Sequence, residues 1–194
     1  MKGCRPFTDE EITALLNVFA NNQHPTRDRA LFLLGIRSGF RISEILSLTL
    51  GDVVQNGSFV QDVAVARRHM KKKREGRSIP LHAEAREALA LWVGELQAKG
   101  NTNSDTFLFQ SREGTNRPLD RRTVWHAIRK ACAQCGMTGK IGTHSLRKTF
   151  ARRMKAAVKN DLHKLQKLMG HAEITSTMRY IELDEEDLRE AVLS

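Results

Sequence analysis

Between residues 58 and 81 the hydrophobic pattern of this chain changes period. "SFVQDVAVARR" (58–68) alternates apolar and polar residues as a strand does, and "GRSIPL" (76–81) is a shorter segment of the same kind. "MKKKREG" (70–76) lies between them, which predicts an antiparallel hairpin with a strongly basic tip. Elsewhere the spacing is helical. "TDEE" (8–11) is a capping box of Thr8 and Glu11, opening an amphipathic helix to about residue 21 with Ile12, Leu15, Leu16 and Phe19 on its apolar side. "TRDRALFLLGIRSG" (26–39) predicts a mostly buried helix stopped by Gly39, and "RISEILSL" (41–48) a short one after it. Helices are also expected at 83–100, 120–136, 144–158 and 161–170, with a last short one around "TSTMRYIEL" (175–183). "TFLFQ" (106–110) reads as a brief strand or turn. The expected fold is therefore mainly α with a small antiparallel β-sheet, of the α+β class. With 194 residues, no internal repeat and no long linker, a single domain over 1–194 is expected, residues 1–7 being an N-terminal extension.

Charge narrows the partner. The net charge is +10, and residues 181–194, "IELDEEDLREAVLS", hold six acids against one base, which leaves +15 on residues 1–180. A body this basic points to a polyanion, most simply double-stranded DNA or another nucleic acid. The longest uncharged apolar run, "ALFLLGI" (30–36), is far short of a membrane span, and the N-terminal "MKGCRPFTDE" turns acidic before any signal-peptide core. No membrane partner is expected, and a cytoplasmic location is, with nucleoid association when bound to DNA. Cys132 and Cys135 form a C-x-x-C without a second pair, so they read as ordinary helix positions, not zinc ligands. Trp92 and Trp125 fall at core spacing. His24, His69, His82, His126 and His163 read as surface or structural histidines.

Phosphodiester chemistry sets the remaining question. Its transition state gathers charge on the non-bridging oxygens, which a protein meets with a metal or with fixed cations and hydrogen-bond donors. Carboxylates clustered at convincing metal spacing are absent, as are H-E-x-x-H and Walker-type sequences. No metal and no cofactor is expected. The metal-free route needs arginines, which stay charged and grip two oxygens at once, with a nucleophile and an acid for the leaving alcohol. The chain holds one tyrosine, Tyr180. A free phenol is only about 0.1% ionised at neutral pH, and neighbouring cations favour its attack. His144 and Arg147 stand three apart in "THSLRKTFARRM" (143–154), on one helical face. Arg41 follows a glycine turn in "SGFRISEIL" (38–46), and Glu44, one turn on, is placed to orient it. Lys72 stands eight residues before Pro80, and His171 follows a helix-ending glycine nine residues before Tyr180.

In that order and spacing, Gly39-Phe40-Arg41-Ile42-Ser43-Glu44, Lys72, His144-Ser145-Leu146-Arg147, Gly170-His171 and Tyr180 resemble the tyrosine recombinase (phage-integrase) family, over roughly residues 8 to 185. The resemblance implies that fold's catalytic domain and a site-specific DNA recombinase of integrase or invertase type, independent of metal and ATP. It implies that Arg41 and Arg147 clamp the scissile phosphate and that His144 and His171 donate to its oxygens, His144 also helping to take the tyrosine proton. Tyr180 then forms a 3′-phosphotyrosyl link while Lys72 protonates the departing 5′-hydroxyl. A second strand's 5′-hydroxyl reverses the step and rejoins DNA in a new arrangement. Lys71 and Lys73 adjoin Lys72, and only one of the three need reach the phosphate, because a strand alternates its side chains. Lys71, Lys73, Arg74, Lys148 and Arg152 are expected to meet the flanking DNA backbone.

Most members of that family carry an N-terminal helical domain that clamps the far side of DNA. Only about seven residues precede the first helix here, so the chain reads either as a catalytic domain without that core-binding domain or as a fragment of a longer protein. Half a clamp makes protomer contacts and accessory DNA-bending proteins more important. The acidic tail, with Ile181, Leu183, Leu188, Val192 and Leu193 as an apolar stripe, is expected to pack on a neighbouring protomer, giving a homo-oligomer that is tetrameric on DNA and monomeric when free, or to fold back on its own domain. Two other functions fit less well: a DNA-binding accessory protein without turnover, and a type IB topoisomerase.

Overall fold

The computed structural model describes residues 4–65, 77–171 and 173–178. The chain divides into two compact units, Met1–Phe150 and Ala151–Ser194. Among the described residues the architecture is the expected one, mainly helical with small antiparallel sheets.

The first unit opens on α1 (Asp9–Ala20), closed by the predicted capping box: Glu11 N donates to Thr8 Oγ1 at 3.2 Å and Thr8 N to Glu11 Oε2 at 2.9 Å. Ahead of it, residues 4–7 form a strap. Arg5 grips Glu11 (Nη1 to Oε2, 2.7 Å) and the Thr138 carbonyl (Nη2, 2.8 Å), while Phe7 N donates to Thr149 Oγ1 at 2.9 Å. The Phe7 ring meets Phe32 edge-on at 5.8 Å, and Phe19 lies 5.2 Å from the same ring.

α2 (Pro25–Ser38) starts with proline in its first turn, where the missing N–H has no partner to lose, and stops at Gly39, whose φ of 61° is left-handed. It packs on α1 and, most extensively, on α5 (Ala83–Ala98). That explains why Leu31, Phe32, Leu33, Leu34 and Ile36 are all buried: the helix is covered on nearly every side. Each such burial stabilises by about 1.5–3 kcal/mol relative to exposure. His82 caps α5, its Nδ1 accepting from Glu84 N at 3.3 Å, and Trp92 is core as expected, its Nε1 donating to Leu108 O at 2.7 Å.

Two local features differ from the sequence expectation. "RISEILSL" is not one helix: α3 (Ile42–Ile45) ends early, and Thr49 caps a new turn, α4 (Leu50–Val53), through Asp52. The alternating segment is not one strand either. Asn56 and Gly57, at φ 50° and 76°, turn β1 (Val54–Gln55) into β2 (Ser58–Phe59), a two-residue hairpin of the type Asn-Gly favours. β3 (Asp62–Val65) then pairs antiparallel with β4 (Arg77–Pro80), Val63 opposite Ile79 and Val65 opposite Arg77 on the buried face. "TFLFQ" runs antiparallel to residues 48–50, Leu108 N donating to Leu48 O and Leu50 N to Thr106 O, both at 2.8 Å.

α6 (Arg121–Gln134), capped by Asp120, packs on α1 and buries Val124, Ile128, Ala131 and Cys132. Burial pushes the Cys132 thiol up to about 11, and the Cys135 thiol at the C-cap is raised for the same reason, which keeps both largely protonated at neutral pH. Trp125 is not core: it is 42% exposed, beside His126 and beneath Arg129. Helical spacing gave it the period of a buried residue, but it falls on the solvent edge of the stripe.

α7 (Thr143–Ala157) begins in the first unit and continues into the second. There α8 (Leu162–Met169) is capped by Asp161, whose Oδ1 accepts from His163 N and Lys164 N at 3.0 Å each, and it packs against α9 (Ile174–Met178). No helix among the described residues is long and apolar enough to cross a membrane. The acidic tail lies outside the described residues.

Candidate active site

The first unit builds its site on the turn after α2. Arg41 occupies the N-cap of α3, where a helix leaves its first N–H groups without helical partners. Glu44 fills that need from the third helical position. Its Oε2 accepts from Arg41 N at 2.7 Å, and its Oε1 from Arg41 Nη1 at 2.8 Å. The Glu44 side chain is 2% exposed and that of Arg41 45%, so a buried carboxylate roots a guanidinium whose other side reaches solvent. The i, i+3 spacing read from the sequence is this geometry.

α7 reaches the same turn because α2 offers it two glycines. A Cβ on Gly35 would come within 2.8 Å of Leu146 Cδ1, and one on Gly39 would overlap Phe150 Cδ1 outright. Leu146 and Phe150 are one helical turn apart, so both seat along α2. Arg147, between them, is delivered to the turn: it is 2% exposed, and its Nη1 donates to the Gly39 carbonyl. The start of α7 is pinned from its other side by Gly142 N, which donates to Ser145 Oγ at 3.1 Å.

His144 stands one turn before Arg147 and reaches solvent. Its pKa falls below the ordinary 6.5, first because the imidazole is partly desolvated, then because Arg147, Arg121, Arg41 and Lys148 are all near enough to repel a proton. At neutral pH it is an uncharged ring among cations, suited to accept a proton. Lys148, next to Arg147, is half-buried. Arg41, His144 and Arg147 thus share one electrostatic neighbourhood.

In the second unit His171 follows Gly170, whose φ of 59° ends α8. Its side chain is nearly buried, and its Nδ1 lies 2.9 Å from Thr177 Oγ1. Its main chain is clasped by Gln166, whose Nε2 donates to His171 O at 3.2 Å. Thr177, which the sequence motifs did not single out, is thus one contact of the ring. Arg152 is exposed in this unit. Lys71, Lys72, Lys73, Arg74 and Tyr180 lie outside the described residues.

Two further residues were not anticipated. Arg121, at the start of α6, acts on His144 from outside the motifs. Arg77 is buried at the first position of β4, with Nη2 donating to Ser38 O at 2.8 Å and Nη1 to Gly39 O at 3.3 Å. One signal did exist in the sequence: Arg77 shares its alternation with Ile79, so a charged residue stood on the inward face of a predicted strand.

Residues 5–187 match the Phage integrase family. The chain belongs to that family. Among its relatives, YoeC, a probable integrase/recombinase of Bacillus subtilis (strain 168), is 34% identical over 165 residues, spanning 85% of this chain and 82% of its own. Tyrosine recombinase XerC of the same strain is 33% identical over 172 residues, spanning 87% of this chain and 53% of XerC. Among solved structures, XerA recombinase superposes with a TM-score of 0.77 at 24% identity, over 97% of this chain and 64% of that one. XerH site-specific recombinase bound to palindromic difH substrate, a post-cleavage complex, superposes at 0.75 and 22%, over 97% and 52%. The chain therefore spans most of YoeC but only about half the length of XerC.

Proposed function

We propose that this phage integrase family chain is the catalytic domain of a tyrosine-type DNA strand-exchange recombinase, acting on double-stranded DNA through a 3′-phosphotyrosyl intermediate without metal or ATP. The observation that carries the reading is the convergence of Arg41 and Arg147 on one glycine turn, with a neutral His144 beside them. Two guanidiniums so placed bind the non-bridging oxygens of a phosphodiester and stabilise the charge that grows on them. His144 takes the phenolic proton of Tyr180 as the tyrosine oxygen bonds to phosphorus. The bond from phosphorus to the 5′-oxygen breaks, and Lys72 supplies that oxygen with a proton. His171, oriented through Thr177, donates to a non-bridging oxygen. The bond energy stays in the phosphotyrosyl ester, so another 5′-hydroxyl reverses the step.

Lys148, Arg152, Lys71, Lys73 and Arg74 serve the flanking phosphates, which makes binding strongly salt-dependent. The acidic tail links protomers into a homo-oligomer on DNA, and accessory DNA-bending proteins add to their grip. The test is incubation with DNA carrying a nicked candidate site, followed by denaturing gel analysis. A covalent protein–DNA adduct is expected in the presence of EDTA and is expected to vanish in Tyr180→Phe. An adduct that persists in that variant removes Tyr180 as the nucleophile.

A further inference from the structure

Arg77 sits where an apolar side chain would serve the core at lower cost. It is 7% exposed, on the inward face of β4, directly opposite Val65 and in register with Ile79. Burying a cation is unfavourable unless its surroundings are arranged for it. Here the surroundings are the turn that carries Arg41. Nη2 and Nη1 donate to the consecutive carbonyls of Ser38 and Gly39, and the guanidinium lies 4.9 Å from the centre of the Phe40 ring. The Gly39 carbonyl also accepts from Arg147. One peptide oxygen is thus held from two sides, and the residue two places on is Arg41.

We propose that Arg77 is a positioning residue of the phosphate clamp: by fixing the Gly39 carbonyl from beneath, it sets the places of Arg147 and Arg41 together. The proposal rests on the recombinase reading above. Arg77 also adds a buried, poorly screened positive charge beneath the site. Burial, and then repulsion from Arg147, push its guanidinium down to about 9, with Arg41 adding to the repulsion and Glu44 opposing it, so it remains charged at neutral pH. Three cations packed this closely repel one another, and an anion with growing charge relieves that repulsion.

The experiment compares single-turnover adduct formation by wild type, Arg77→Gln and Arg77→Lys on nicked DNA. Melting temperature and DNA Kd are measured on each, with Tyr180→Phe as the control. Two substrates are used, one with the natural scissile phosphate and one with a neutral methylphosphonate in its place. On the phosphate, both variants are expected to form adduct about 10- to 100-fold more slowly, with Kd within about threefold of wild type, since a misplaced clamp costs rate more than binding. On the neutral linkage the deficit is expected to shrink, because a clamp for charge matters less there. An unchanged rate, or an equal deficit on both linkages in a folded variant, reduces Arg77 to packing and overturns the proposal. If Arg77→Gln does not fold, Arg77→Lys decides by the same two criteria. It keeps the charge but cannot bridge two carbonyls as a guanidinium fork does. Absence of any adduct from wild type ends the recombinase reading and takes this proposal with it.

Discussion

Gly39→Ala perturbs the joint on which the site is built. Gly39 has φ of +61°, and a non-glycine residue in that region costs about 1–2 kcal/mol. The added Cβ would also overlap Phe150 Cδ1 and stand 2.8 Å from Cε1 and Cγ of the same ring, so Phe150 must move. Overpacking of that kind costs about 1–3 kcal/mol. A smaller opposing gain of about 0.4–1 kcal/mol comes from stiffening the unfolded chain. The net expectation is a loss of about 2–4 kcal/mol, or a melting temperature lower by about 4–16 °C in a chain of this size. Denaturant titration measures the first and calorimetry the second. A double-mutant cycle isolates the clash. Phe150→Ala alone costs about 3–5 kcal/mol, but in its presence the methyl added at position 39 meets empty space. The two changes together should therefore be less damaging than their sum by about 1–3 kcal/mol. Strict additivity, or Gly39→Ala within about 0.5 kcal/mol of wild type, refutes the reasoning that Gly39 exists to admit Phe150 and seat α7.

Two other substitutions probe the site directly. Glu44→Ala strips the buried partner from Arg41 N and Nη1; a stability loss of about 1–3 kcal/mol is expected by denaturant titration, with adduct formation slower by about 10- to 100-fold, and Glu44→Asp, too short to make both bonds, should recover little. The lowered pKa of His144 fixes the sign of its pH effect. The unfolded chain binds that proton more readily, so the stability this group contributes is present above pH 6.5 and is lost as pH falls through its native value. Adduct formation should fall on the same acid limb, and His144→Asn should flatten the limb in a pH–rate profile while lowering the plateau.

Some of the site was legible because it is local. Arg41 and Glu44 are three residues apart, and one turn of helix converts that spacing into an ion pair without help from the rest of the fold; His144 and Arg147, at the same spacing on α7, are near enough for Arg147 to lower the His144 pKa. The capping box at Thr8 and Glu11 and the glycine stops of α2 and α8 are legible for the same reason. The Asn56-Gly57 hairpin was equally local and still escaped, because the alternation that continues from Ser58 to Val65 masked the break after Phe59. Trp125 escaped because helical period gives the face of a side chain but not how far the neighbouring element extends to cover it.

Residue order was enough to set the succession of motifs, the helical class and the chemistry available: arginines, histidines and a lone tyrosine in a basic chain. What those groups rest on emerged only once the chain was packed. The bond from Arg147 to Gly39 spans 108 positions, and that from Arg77 to Ser38 spans 39. Neither follows from a period of 2 or 3.6, since both depend on where α2 admits α7 and on which face of β4 turns inward. Side-chain chemistry is written residue by residue, whereas burial and shared hydrogen-bond acceptors belong to the packed arrangement, and at this site they hold the guanidiniums in place.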